Sequence, residues 1–160
     1  MVIGMNVRNR STTEIALIAV VVVGLAIDAF VHFDLASAFA GNKTSTLSEA
    51  DIFRADATVA LIAAVALLVR PRRYTAALAF LVAAAGTAAV IIFRYVDVGS
   101  FGPIPNMYDP YWAPFEKSLS VIGEAAAAVA AFALLAILHK QSRTEPAKQS
   151  FASSTSASSV

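Results

Sequence analysis

The chain has 160 residues, 58% hydrophobic and 14% charged, where soluble domains carry about 25% charge. With a mean hydropathy of +0.70, this composition points to a membrane protein. A net charge of +1 supplies no global field for nucleic acid or acidic substrates, and the lack of cysteine removes disulfides, thiolate metal sites and thiol redox chemistry.

Residues 1–13 form a short polar cytoplasmic lead with Arg8 and Arg10. The first apolar segment, Glu14–Ala40, is unbroken from Ile15 to Ile27 and then carries Asp28, His32 and Asp34. A secretory signal ending at Ala38-Phe39-Ala40 competes with a membrane span, but those polar residues make a poor cleavage region and three more apolar segments follow. Asn42-Lys43-Thr44 fits a glycosylation sequon, a three-residue match that often arises by chance. Ser48-Glu49-Ala50-Asp51 resembles a capping box opening a second span, Asp51–Val69, which Arg70-Pro71 closes. The short connection to a third span, Tyr74–Tyr95, requires an antiparallel hairpin.

Residues 97–117 (DVGSFGPIPNMYDPYWAPFEK) hold too many glycines and prolines for a continuous helix and too many aromatic residues for a loose linker. They are expected to form a lid or docking surface, with Phe101, Tyr108, Tyr111 and Trp112 as its contact residues. A fourth span, about Phe115–Leu138, begins near Pro114. Each span is near the ~20 residues that cross a bilayer. Small-residue runs at Ala83–Ala89 and Ala125–Ala131 suit close helix packing in lipid, although genomic bias gives the same composition. Residues 141–160, rich in serine and alanine, read as a disordered cytoplasmic tail, leaving residues 14–140 as the transmembrane domain.

Arg8, Arg10, Arg70, Arg72, Arg73, Lys140, Arg143 and Lys148 fall on one side of the four spans, and Lys43, Arg54, Arg94 and Lys117 on the other. The excess of basic residues on the first side puts both termini in the cytoplasm. The expected fold is an all-α, four-helix antiparallel membrane bundle with a structured extracytoplasmic segment between helices 3 and 4.

Ionisable residues inside the spans gather toward the outer side. Asp28 and His32 share a stripe of helix 1, Arg54 lies on a stripe of helix 2 with Asp51 and Thr58, and Asp56 lies on another face. Glu124 on helix 4 completes a layer roughly 5–14 Å below the outer interface at 1.5 Å per residue. Charges at such depth are costly and are best paired inside the bundle. The expectation is therefore Arg54 between Asp28 and Glu124, with His32 and Arg94 nearer the rim, together forming a binding pocket. Structural ion pairs that fix helix register are the competing account.

Asp28 and His32 have metal-ligand spacing, with Glu124 a third candidate, yet with one histidine on that side no metal is expected. Bis-histidine haem is disfavoured because His32 and His139 sit at opposite ends of their helices, so no cofactor is expected. Nucleotide-binding loops and a nucleophile elbow are absent, and no catalytic residue is assigned.

The segments Val31-His32-x-Asp34-Leu35, Leu47–Arg54, Arg94–Gly99 and Gly102–Tyr108 resemble small actinobacterial four-helix integral membrane proteins. The overall plan is also similar to DoxX-like proteins, without a motif specific to them. The resemblance covers roughly residues 12–138 and implies a four-span bundle in the plasma membrane with no catalytic residue carried over. The leading expectation is binding or passage of a small polar or amphipathic molecule, an anionic one included, in an outward-facing pocket of Asp28, His32, Arg54, Arg94 and Glu124. The partners expected are the lipid bilayer, a small-molecule or lipid ligand, and a larger membrane complex, but no nucleic acid. An accessory subunit docking through residues 97–117 is the runner-up, and a membrane enzyme using Asp28, His32 and Glu124 is third.

Overall fold

The structure, a computed structural model, describes residues 10–157, with side chains described through residue 143. It contains four α-helices and no strands among these residues: α1 (Thr12–Ala36), α2 (Glu49–Val69), α3 (Arg73–Tyr95) and α4 (Phe115–Ala157). All four are long and apolar enough to cross a membrane, α4 through its Phe115–Arg143 portion. The chain is thus read as a multi-pass membrane protein.

Local chemistry sets the helix starts. Ser11 and Glu14 form a reciprocal capping box at α1, and Ser48 and Asp51 form the expected one at α2. The boundaries differ from expectation mainly at two places. α1 stops at Ala36, and residues 37–41 form turns before the Asn42–Ser48 loop. α4 runs on to Ala157, through Pro146 and through residues expected to be disordered. Residues 1–9 and 158–160 of the two expected tails lie outside the described residues.

Contacts across the bundle run in opposite sequence directions. Gln141 donates to Glu14, Gly24 abuts Gly123 and Ser120 donates to Asp28, so α1 and α4 are antiparallel. Phe80 pairs with Phe132 and Gly86 abuts Glu124 between α3 and α4, while Phe53 meets both His32 and Phe39 between α2 and the end of α1. The helices form a ring in chain order, with α2 and α3 the least closely packed neighbours.

Side-chain size is distributed as lipid requires. The core is built on Ala57, Ala60, Ala63, Ala76, Ala79, Ala83, Ala127 and Ala131 around Val21, Leu25, Leu67 and Leu134. Val23, Phe30, Ile62, Leu81, Ile122, Val129 and Phe132 face outward. Small residues inside let backbones approach where no hydrophobic effect drives association, and large apolar residues outside meet acyl chains. The tightest approach is at Gly24, where a Cβ would strike the Gly123 carbonyl and stand 2.9 Å from Ala127 Cβ.

Candidate functional site

At one end of the bundle the 37–48 connection and residues 96–114 fold over the helix ends. Residues 101–104 form a tight turn in which Phe101 and Ile104 exchange backbone hydrogen bonds of 3.0 Å. Gly102, at φ 58°, occupies a left-handed position that a side chain would strain. Asp97 accepts from the Gly99 amide and from Asn106 Nδ2. The Asp109 amide donates to the Phe93 carbonyl at 3.1 Å, and Lys117 Nζ donates to Asp109 Oδ2 at 2.8 Å.

Two side chains tie this segment to the opposite hairpin. Asn42 Nδ2 donates to the Asn106 carbonyl at 2.7 Å and to Glu49 Oε2 at 2.6 Å, and Thr44 Oγ1 donates to the Pro103 carbonyl at 2.8 Å. The residues that spell a sequon thus act here as tethers, with partners 64 and 59 positions away that no local pattern reveals.

Beneath the segment lies a cavity of about 390 Å³ between α1, α2, α3 and the first turns of α4. Its walls are mostly apolar: Val31, Leu35, Ile52, Phe53, Val90 and Phe93 from the helices, with Ile104 and Met107 from the segment. Polar groups enter as His32, Glu49, Asp56 and the Asp109–Lys117 pair. Phe101, Tyr108, Tyr111 and Trp112 do not line it. Phe101 and Tyr111 are instead 78% and 68% exposed, so the lid's inner face is aliphatic and its aromatic side looks outward.

At the cavity floor the expected polar layer forms, with a different cast. Asp28, His32, Asp56 and Glu124 each bring one ligand-type atom within 4.8 Å of all the others. His32 Nδ1 lies 2.7 Å from Asp28 Oδ1 and 3.7 Å from Asp56 Oδ2, while the edge of its ring meets Phe53 with centroids 4.9 Å apart. Ser120 Oγ donates to Asp28 Oδ1 at 2.8 Å. Glu124 reaches the group past Gly86, where a Cβ would collide with its carboxylate. Asp28 and Glu124 are each 1% exposed.

The expected placement of Arg54 between Asp28 and Glu124 is corrected. Arg54 is exposed and pairs with Asp51 at 3.4 Å, a turn away on the same helix. Asp56 takes its place facing the bundle. The reason is visible on α2: Asp56 continues the stripe of Ala60, Ala63 and Leu67 that packs inward, whereas Arg54 lies about 200° away, at 100° per residue. That small-residue stripe was the available sequence signal. Arg94 is also separate from the cluster. Its guanidinium lies over Tyr95 and Trp112, 5.1 and 5.5 Å from their ring centres. Among the described residues no lysine or arginine pairs with Asp28, Asp56 or Glu124.

Three acids and one histidine in a largely buried setting can share protons, hold a cation, or present a polar patch to whatever fills the cavity. Comparison with protein-family models, curated proteins and solved structures finds no match for this chain.

Proposed function

We propose that this protein binds a small amphipathic molecule in the cavity beneath residues 97–114, as a multi-pass protein of a bacterial plasma membrane with both termini cytoplasmic. The observation that carries the reading is the cavity: about 390 Å³, within the ~300–1,000 Å³ of small-molecule sites, with apolar walls and a few convergent polar groups. Arg10, Arg70, Arg72, Arg73 and Arg143 belong to the opposite end of the bundle, which supports a cytoplasmic assignment for that end. The resemblance to small actinobacterial four-helix proteins points to the same membrane. An apolar body would lie against Ile52, Phe53, Val90 and Phe93, with a polar group toward His32 and Asp56. Because acids outnumber bases in the lining, a neutral or cationic group suits it better than an anionic one. Below the floor the bundle closes over Val21, Leu25, Leu67 and Leu134, all 0% exposed, which favours binding over passage.

The test is purification from native membranes into lipid nanodiscs, followed by mass spectrometry of everything retained. A small molecule or specific lipid retained by the natural chain and lost in Val90→Trp, which fills the cavity, is the expected result. Equal retention by both proteins would sink the reading. The exposed Phe101, Tyr111 and Phe115 support the accessory-subunit alternative. A stoichiometric protein partner lost when Phe101 and Tyr111 become alanine would establish it instead.

A further inference from the structure

The floor of the cavity has chemistry that amphiphile binding does not require. Two carboxylate oxygens there, Glu124 Oε2 and Asp56 Oδ2, are buried without a hydrogen-bond partner. An orphaned buried acceptor forfeits its hydration with no return. Glu124 is 1% exposed, and its carboxylate is directed into a group of two other acids and one histidine. Like charges so close repel strongly in a medium of low dielectric. One imidazole, that of His32, faces three acids, and no lysine or arginine among the described residues joins it.

We propose that Asp28, His32, Asp56 and Glu124 bind one divalent transition-metal ion. Three features support this assignment. The first is donor geometry. Four donors held tetrahedrally at ~2.1 Å from one ion stand about 3.4 Å apart. The four ligand-type atoms here all lie within 4.8 Å of one another, so the widest pair would close by at most about 1.4 Å, while His32 Nδ1 and Asp28 Oδ1, now 2.7 Å apart, would open slightly. The second is donor chemistry: one imidazole nitrogen with three carboxylate oxygens suits Zn²⁺, Mn²⁺ or Fe²⁺, whereas an all-oxygen cage would suit Mg²⁺ or Ca²⁺. The third is support and access. Ser120 holds Asp28 through a 2.8 Å hydrogen bond, the kind of outer contact that orients a ligand. His32 and Asp56 both face the cavity, which gives the ion a way in and leaves room for an oxygen of a bound molecule. Gly86 leaves space for the Glu124 carboxylate to swing into place, since any larger residue would push it aside.

The assignment does not depend on an amphiphile, and its test uses none. The full chain, tag-free and stripped with chelator in detergent, is titrated with Zn²⁺ by calorimetry and with Co²⁺ by visible absorption. The expected result is saturation at one ion per chain, with the d–d bands of Co²⁺ in a nitrogen–oxygen site. Ser120→Ala should weaken binding by about 10–100-fold, and His32→Ala and Glu124→Gln by more than that. Asp51→Asn, on the exposed face of α2, should leave it unchanged. If Glu124→Gln does not fold, Asp56→Asn replaces it, since that side chain is 32% exposed. No saturable uptake by the natural chain, or uptake unaffected by His32→Ala, overturns the proposal while leaving the cavity reading standing.

Discussion

The hold of residues 97–114 on the bundle can be weakened without touching a helix. Asn42→Ala with Thr44→Val removes the bonds to the Asn106 and Pro103 carbonyls, at 2.7 and 2.8 Å, and the bond that steadies Asn42 on Glu49. Hydrogen bonds at partly exposed positions contribute about 0.5–1 kcal/mol each. The two that cross between hairpins therefore account for about 1–2 kcal/mol of the closed state, or about 5- to 30-fold in the opening equilibrium. Hydrogen–deuterium exchange in nanodiscs reads this directly. The amides of Phe101, Ile104 and Asp109, which donate to Ile104, Phe101 and Phe93, should exchange faster by that factor, while amides in the middle of α1 and α4 should not change. The Thr44 hydroxyl also accepts from the amides of Thr46 and Leu47, so the single variants separate loosening of that turn from release of the segment. Unchanged exchange across 97–114 in the double variant would refute the tether argument. It would assign the hold to Ile104 and Met107 in the cavity and to the Lys117–Asp109 pair.

Other substitutions probe the bundle and its floor. Gly24→Ala places a methyl group against the Gly123 carbonyl, a backbone atom that cannot step aside. It should cost about 1–3 kcal/mol in thermal or denaturant unfolding, whereas Gly41→Ala, with nothing within 4 Å, should be silent. Gly86→Ala should destabilise the protein by displacing the Glu124 carboxylate, and a double-mutant cycle should show that penalty vanish in a Glu124→Ala background. Arg54→Ala should leave the melting temperature unchanged, because its pair with Asp51 is exposed at 3.4 Å. A large loss there would restore a central role for Arg54.

Four spans, their antiparallel order and the gathering of acids toward one end were legible in the sequence, because hydropathy and loop length report them directly. Asp28 and His32 were found by their shared stripe and depth, and Glu124 by depth. Depth could not choose between Arg54 and Asp56, which are two residues apart; only the inward stripe of Ala60, Ala63 and Leu67 separates them. The lid was recognised by its prolines and glycines, which leave open whether its aromatic residues face the cavity or the outside. Ile104 and Met107 supply the inner face, and Arg94 lies over Trp112 at the rim. The tethers from Asn42 and Thr44 join positions some sixty residues apart, and no periodicity encodes such a pairing.

The uneven packing around the ring means that the chain is divisible. The α2–α3 pair is the least closely packed, and its connection lies at the end away from the lid. A break at Pro71 would yield two helical hairpins whose main mutual surfaces, α1 against α4 and the Asn42 and Thr44 tethers, remain intact. Two co-produced fragments should reassemble in the membrane, offering an insertion point for a reporter. A break within residues 43–47 would instead cut into the loop that carries those tethers.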